Sequence, residues 1–437
     1  GCMMLGCHSS SIFHDYRLRG GSGGHFGLPA TRRNYELSVE QISLESPDPA
    51  ASRLLKKNLA PTARGMLHRG GSLFAAGDVA QCDLTAAETG PLDDQSPFCV
   101  IVAWIEKERA ERMAGAQPLT GIVYVQRPPA PGKDTPQDWD VYAGGADLML
   151  ASASMDAAGN VTAGAGSSLL GQCGLSPASA DVRRPAVSWD GSKIAFAART
   201  SASDPFRVYV IDGGNCAAEP TINAAPTDES GGAIPDNGEL VHNFDPAFAP
   251  DGRIVFASTR GNIKNVAAFG YAGPQRTPAD PSKLNANLYL LESGKVRQLT
   301  FVLNQEILPS FMSDGRLIFT TEKRTPDFYQ LAGRRQNLDG GDYHPLIGQR
   351  QTLGFNQFTD IVELSDKNLV AVVSDKGAAH GAGTLAIINR SIGVDQLSSN
   401  PDDYLQDPGA IDWPNPGFYQ KAVRILDPAA TGKAGPT

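Results

Sequence analysis

The sequence predicts a multidomain protein in which a small α-helical domain, residues 1–118, precedes an all-β propeller of about six four-stranded blades, residues 119–437. Asp-Gly turns that recur between apolar runs predict the propeller, because such a turn is the strongest short-range signal of a β-hairpin. Apolar residues at helical spacing predict the helical domain. The 47 glycines and 31 prolines also favour short strands joined by turns over long helices.

The composition is typical of a soluble globular protein, with 41% hydrophobic and 19% charged residues. The formal net charge of −9 comes without a basic stripe, so the sequence does not predict a nucleic-acid partner. No apolar run is long enough for a transmembrane helix. The seven histidines are scattered along the chain, and the sequence predicts no catalytic residue.

Three capping signals predict helices in the first domain. Ser38 and Gln41 have the spacing of a capping box, in which each side chain satisfies a backbone amide at the helix start. Asp48-Pro49 predicts a second helix, with the aspartate as N-cap and the proline at the first helical position. Ser96-Pro97 predicts a third and longer helix, because apolar residues repeat at helical spacing after it.

The first eight residues contain two cysteines followed at once by a histidine, which is the attachment signature of a c-type haem. Cys2 and Cys7 would each bind a vinyl group of the porphyrin, and His8 would be the proximal iron ligand. The spacing between the cysteines is wider than usual. The motif predicts one covalently bound haem c. The alternatives are a disulfide between Cys2 and Cys7, a small metal site, and a lipid anchor on Cys2.

A short helical domain with this motif at its start resembles a small c-type cytochrome. In that resemblance the sixth iron ligand comes from the loop before the last helix, which implies His68 as the distal ligand. The alternatives are Met66, His25, His14 and an open sixth position.

The remaining four cysteines fit an exported protein, because covalent haem attachment takes place outside the cytoplasm. We therefore expect a periplasmic or extracellular location and two disulfides. The predicted pairs are Cys82–Cys99 and Cys173–Cys216, and the alternative is four free buried thiols.

The second domain contains a repeat in which a proline-containing strand, a turn and an apolar strand follow one another. Three copies begin at Pro185, Pro246 and Pro309, and a degenerate fourth surrounds Asp366. Their spacing of about 50 to 65 residues suits propeller blades with loop insertions. A further blade is predicted at residues 121–170. The start of a sixth is predicted near residues 408–426.

These copies resemble the propeller repeats of the Tol translocation protein and its relatives. Together with the predicted haem domain, the chain resembles the first two domains of the hydrazine synthase alpha-subunit family. In that family the propeller presents residues to the haem edge, which implies such a role for Tyr343 and His344. The alternative for both residues is packing and hydrogen bonding between blades.

The combination predicts an exported monohaem cytochrome that transfers electrons, with the propeller as a docking platform for a redox partner or a larger cytochrome complex. One alternative is a haem oxidoreductase with an open iron site at the propeller. Another is a haem-free propeller that acts as a binding or scaffold protein.

Overall fold

The computed structural model describes seventeen segments of the 437-residue chain. They are residues 8, 16–19, 27–43, 48–65, 71–83, 95–113, 118–129, 138–156, 160–227, 240–260, 285–302, 304–325, 328–347, 357–364, 368–374, 382–388 and 423–426. The chain divides into two compact units. One contains residues 1–117, 363–369 and 387–424, and the other contains residues 118–362, 370–386 and 425–437. The assignment of separate domains to residues 1–118 and 119–437 stays a prediction.

The first unit contains the helices. Within the described residues they are α1 (Leu28–Val39), α2 (Arg53–Lys56), α3 (Ala76–Ala80) and α4 (Pro97–Met113), with short 3-10 turns at Pro49–Ala51 and Pro61–Ala63. Among the described helices, only α4, with 17 residues, is longer than 12 residues. None of the helices in the described part of the chain is long and apolar enough to cross a membrane.

The predicted helix starts are correct in part. α4 begins at Pro97 as expected, and the side chain of Asp48 caps Ala50, although it opens a 3-10 turn. The capping box at Ser38 is wrong. Ser38 lies in the last turn of α1, where its hydroxyl donates to the carbonyl of Asn34 over 2.7 Å. A serine near the end of a helix bonds back to the preceding turn in this way.

The predicted α-helical cytochrome domain is wrong. The described chain is mostly β, and the helices are too short and few for a sizeable helical domain. The apolar side chains expected to enclose a flat cofactor pack on one another instead. Leu55, Leu59 and Ile105 are buried together, and the rings of Phe74 and Phe98 meet edge to face at 5.5 Å.

Both predicted disulfides are present. Cys82 pairs with Cys99 of α4, and Cys173 pairs with Cys216 in the second unit. Disulfides persist in oxidising compartments, so the two bonds are compatible with an exported protein.

The β-strands lie mainly in the second unit and form five consecutive groups that we call blades one to five. Blade one contains β1 (Gly121–Gln126), β2 (Asp147–Met155) and β3 (Val161–Ser168). Blade two contains β4 (Asp181–Val187), β5 (Lys193–Arg199), β6 (Arg207–Asp212) and β7 (Asn215–Ala218). Blade three contains β8 (Asn243–Phe248), β9 (Ile254–Ser258), β10 (Asn287–Glu292) and β11 (Lys295–Gln298). Blade four contains β12 (Glu306–Phe311), β13 (Leu317–Thr325), β14 (Phe328–Gln336) and β15 (His344–Ile347). Blade five contains β16 (Gln357–Glu363), β17 (Leu369–Ser374), β18 (Thr384–Ile388) and β19 (Val423–Ile425).

The order of the strands is that of a β-propeller. Blades two and three are antiparallel meanders in which each strand pairs with the next along the chain. In blades two and three the first strand packs against the first strand of the following blade, β4 on β8 and β8 on β12. We call these first strands innermost. A parallel pair of Leu331 with Gln357 joins blade four to blade five.

The described residues form fewer blades than the expected number of about six. The described residues form five, and the first has three strands. The segment predicted to open a sixth blade contributes β19, which instead pairs with β18 at the edge of blade five. The blade predicted at residues 121–170 is confirmed by β1, β2 and β3.

The Asp-Gly turns are confirmed in the three well-matched copies. Gly191, Gly252 and Gly315 adopt φ of 74°, 89° and 85°, which glycine alone tolerates without strain. Each glycine amide donates to the carbonyl three residues earlier, and the preceding aspartate accepts from the amide two residues later over 3.1 Å. The fourth turn, at Asp366, lies outside the described residues.

Candidate functional site on the innermost strands

The innermost strands of blades two to five share a strained bend. The third or fourth residue of each strand has a positive φ without being glycine. These residues are Arg184 (37°), Asp245 (47°), Leu308 (58°) and Asp360 (50°). In blades two to four, the pairing with the second strand shifts register at this point, which marks a β-bulge. Such a backbone costs roughly 1–3 kcal/mol per residue, and bulges serve to redirect side chains.

One redirected pair ties blades two, three and four together. Arg183 Nε and Nη2 donate to the two carboxylate oxygens of Asp245 over 3.0 and 3.2 Å. Asp245 Oδ2 also accepts from the backbone amide of Leu308 over 3.3 Å. The Asp245 side chain is fully buried and that of Arg183 is 11% exposed. A bidentate pair with this burial fixes the geometry of the bulges.

A second pair reaches across the propeller. Arg184 of blade two binds Asp360 of blade five, with Nε and Nη2 at 3.1 and 3.0 Å from Oδ1. Its Nη1 also donates to the carbonyl of Pro309 in blade four over 3.4 Å. Blades two and five are not consecutive along the chain, so this side chain joins two separate blades. We call Arg183, Arg184, Asp245 and Asp360 the axial cluster.

The two pairs of the axial cluster differ in their access to solvent. The side chains of Arg184 and Asp360 are 21% and 45% exposed, whereas the pair of Arg183 and Asp245 is almost buried. Exposed ion pairs contribute at most about 1 kcal/mol. The pair of Arg184 and Asp360, which we call the outer pair, can therefore open and exchange partners at little cost in free energy. The pair of Arg183 and Asp245, which we call the inner pair, keeps the strands in place.

A buried polar layer lies at the start of the same strands. The first residue of each innermost strand in blades two to five is polar and no more than 3% exposed. These residues are Asp181, Asn243, Glu306 and Gln357. In three blades the second strand supplies the partner of that residue. Arg199 Nε and Nη2 each donate to Asp181 over 3.1 Å, Ser258 donates to Asn243 over 2.7 Å, and Ser374 donates to Gln357 over 3.1 Å.

Blade four departs from this pattern. Glu306 has Thr321 opposite it in the register, and its Oε1 accepts from the hydroxyl of Tyr343 over 2.6 Å. Its Oε2 has no hydrogen-bond partner among the described residues. Burial raises the pKa of the Glu306 carboxyl to about 7 and also raises the pKa of Tyr343. A carboxyl group with this pKa changes charge near neutral pH.

Tyr343 and His344, which the sequence singled out, lie in blade four. The Tyr343 ring packs 5.9 Å from that of Phe319, and the guanidinium of Arg334 lies 5.3 Å from its centroid. His344 begins β15, and its Nδ1 is buried without a partner in the described part of the chain. These contacts do not test the predicted cofactor-facing role of the two residues.

The other predicted site residues lie mainly outside the described segments. Cys2, Cys7, His25, Met66 and His68 belong to this group, and so does the alternative ligand His14. His8 is described. Its Nδ1 lies 2.8 Å from the carbonyl oxygen of Tyr16, and burial lowers the pKa of its imidazole.

The predicted haem c is wrong. Within the described residues, no group of three or more histidine, cysteine, aspartate and glutamate side chains lies close enough to hold a metal ion. The helical fold that would enclose a haem is also missing from them, as shown above. The sequence motif is short and local, whereas a haem site also needs a surrounding apolar slot. Here the apolar side chains of the helices pack on one another instead.

No protein-family model and no curated protein matches the sequence. Among solved structures, the chain is similar to hydrazine synthase of Kuenenia stuttgartiensis, with a TM-score of 0.44 and 14% identity over 65% of this chain and 40% of the other. It is also similar to TolB of Acinetobacter baumannii, with a TM-score of 0.36 and 16% identity over 69% and 58%. For a putative TolB of Agrobacterium tumefaciens the TM-score is 0.35, with 14% identity over 70% and 91%. The chain thus spans less than two thirds of the first two proteins, and its propeller assignment rests on its own strand order.

The axial cluster was not predicted from the sequence. A signal was present, because Arg184, Asp245 and Leu308 each stand directly before the proline of a repeat copy. A residue before proline normally avoids helical conformations and adopts an extended one. A bulge at this point becomes visible only when the strand register is known.

Proposed function

We propose that the chain is a propeller binding or scaffold protein that recognises a charged segment of a protein partner at its axial cluster. The observation that supports this most directly is the partly exposed pair of Arg184 and Asp360, two residues of positive φ that lie in separate blades. Strain of this kind is retained where the surrounding structure and the function require it.

The chemistry of the outer pair defines the partner. When the pair opens, Arg184 can bind a carboxylate in a bidentate manner and Asp360 can bind a lysine or arginine. A ligand that offers both charges side by side binds the opened pair more favourably than water does. A polypeptide segment with neighbouring acidic and basic side chains meets this requirement. The redox partner or cytochrome complex expected from the sequence belonged to the haem hypothesis, and the partner proposed instead is defined by charge alone.

An extracytoplasmic location forms part of the proposal. The two disulfides support it, because cytosolic thiols are kept reduced. Fractionation of producing cells tests it directly. Recovery of the oxidised protein with the periplasm or medium is the expected result, and recovery of a reduced protein with the cytosol would contradict it.

The test of binding compares two double variants. Arg184→Gln with Asp360→Asn removes the outer axial charges. As a control that we call the edge variant, Lys193→Gln with Asp212→Asn removes an exposed ion pair of the same kind, 45% and 57% exposed, from the facing ends of β5 and β6. Each purified variant is used in quantitative affinity capture from an extract of exported proteins. We expect proteins captured by the wild type and by the edge variant to be lost from the axial variant. Equal capture by both variants, or no capture by the wild type, would refute the proposal.

A further inference from the structure

The innermost strands of blades two to five begin with a polar residue and finish with an apolar one. The apolar residues at or next to the ends of these strands are Val187, Phe248, Phe311 and Val362. The two phenylalanines are buried, whereas Val187 and Val362 are 47% and 44% exposed. Arg184 precedes Val187 by three residues, and Asp360 precedes Val362 by two. The exposed valines therefore lie about 7–10 Å along their strands from the outer pair.

Trp189 enlarges the exposed apolar surface at this end. It follows β4 by two residues, and its Nε1 donates to the carbonyl of Phe248 at the end of β8 over 3.0 Å. The indole thus joins the ends of two innermost strands while it remains 53% exposed. The matching residues of the next two repeat copies are Pro250 and Ser313. A large aromatic ring that is held in place and exposed is typical of a binding surface.

The opposite end of β4 is covered by residues 139–143. Arg199, which binds Asp181 at the start of β4, also donates to the carbonyl of Trp139 over 3.1 Å. Trp139 is buried, and its ring stacks on that of Phe244 at 4.7 Å. One end of the strand is therefore packed by the chain itself, whereas the other end presents exposed apolar side chains. We call Val187, Trp189 and Val362 the apolar rim.

The order of charged and apolar groups defines a segment that fits both. The outer pair binds neighbouring acidic and basic side chains, and the apolar rim offers contact to an aliphatic or aromatic side chain. An extended polypeptide advances about 3.3 Å per residue, so the distance between the two surfaces corresponds to two or three residues. Burial of a side chain the size of leucine strengthens binding about tenfold or more.

We infer that the apolar rim is the second contact surface for the partner that binds at the axial cluster. The partner segment approaches from the end of the strands that carries the Asp-Gly turns, and it has an aliphatic or aromatic residue two or three positions from its charged pair. This inference rests on the proposed function, because the outer pair fixes the position of the segment. The rim adds a requirement that charge alone does not impose.

The experiment uses the full chain and four synthetic peptides. Two contain Lys-Glu-Ala-Ala-Leu or Glu-Lys-Ala-Ala-Leu, and the other two carry serine in place of the leucine. Binding is measured by isothermal titration calorimetry, and the tryptophan emission is followed in a parallel titration. The rim variants are Trp189→Ala and Val187→Thr. The matched control is Met155→Ala, which removes an apolar side chain that is 54% exposed at the end of β2.

We expect the wild type to bind at least one leucine peptide about tenfold more tightly than its serine counterpart. The emission should move to shorter wavelength, because the exposed indole of Trp189 loses contact with water. Trp189→Ala should abolish both effects, and Val187→Thr should reduce the preference for leucine. Met155→Ala should behave like the wild type. Val187→Thr keeps the shape of its side chain and decides the outcome if Trp189→Ala does not fold.

The axial variant with Arg184→Gln and Asp360→Asn separates this inference from the proposed function. Equal binding of leucine and serine peptides by the wild type, an unchanged preference in the rim variants, or the same loss in Met155→Ala would overturn the inference alone. Equal binding of the peptides to the wild type and the axial variant would refute the proposed function. Failure of all four peptides to bind the wild type would overturn both.

Discussion

The carboxyl group of Glu306 should make the stability of the propeller depend on pH. The group is fully buried, and burial raises its pKa from 4.5 to about 7. The hydrogen bond from Tyr343, the polar side chains of Thr300 and Asn287 and the charge of Arg334 lower this pKa but do not compensate for burial. The reason is that desolvation penalises the ionised form more than these contacts favour it.

The size and the sign of the effect follow from this shift. Between pH 4.5 and about 7 the folded protein keeps a proton that the unfolded chain has lost, so stability falls as the pH rises through this window. Below the window both states are protonated, and above it both are ionised. Each pH unit within it costs about 1.4 kcal/mol, which gives a total loss of about 3 kcal/mol at pH 8.

Glu306→Gln removes the titrating group and keeps an acceptor oxygen for Tyr343. The fold accommodates an amide here, because Asn243 and Gln357 hold the same position in blades three and five. The free energy of unfolding of both proteins is measured by urea denaturation from pH 4 to pH 8.5. We expect similar values at pH 4.5 and an advantage of about 3 kcal/mol for the variant at pH 8. A difference that does not change with pH, or a variant that is less stable at pH 8, would refute the reasoning.

Three other changes are expected to destabilise the fold. Tyr343→Phe removes the donor to Glu306 and should cost about 1–3 kcal/mol in urea denaturation, moving the pH window upward because the carboxylate loses a stabilising contact. Gly252→Ala should cost about 1–2 kcal/mol in the same measurement because of its positive φ, whereas Gly171→Ala, also in open space but without a positive φ, should cost clearly less. Asp181→Asn leaves a buried arginine without its counter-ion and should lower stability by about 3–5 kcal/mol, and a loss below 1 kcal/mol would contradict the buried pair.

The sequence predicted those parts of the fold that local chemistry decides. The Asp-Gly turns could be placed because only glycine adopts the required φ without strain, so the residue type reports the backbone directly. The two disulfides could be paired because two of the four cysteines fall in each predicted domain. The start of α4 at Pro97 was visible because proline suits the first helical position.

The wrong predictions concern properties that short motifs do not fix. Cys2, Cys7 and His8 form a motif of covalent chemistry, but it says nothing about the packing of the residues around it. The apolar positions of the short helices fit a core of their own as well as a cofactor slot, and the structure shows the core. The serine at position 38 satisfies the pattern of a capping box, yet the helix had already begun at Leu28.

The functional features of the propeller become visible when its blades are compared position by position. Repetition makes each blade a control for the others, and a departure at one position then needs a local cause. Glu306 departs because its partner is Tyr343 and not a residue of the second strand, as in the other three blades. Blade one departs because its described residues form three strands. The axial cluster shows the reverse case, in which the same costly bend occurs in four blades. Strain repeated four times would cost about 4–12 kcal/mol, comparable with the whole stability of a typical domain, and a fold keeps it only where the redirected side chains are needed.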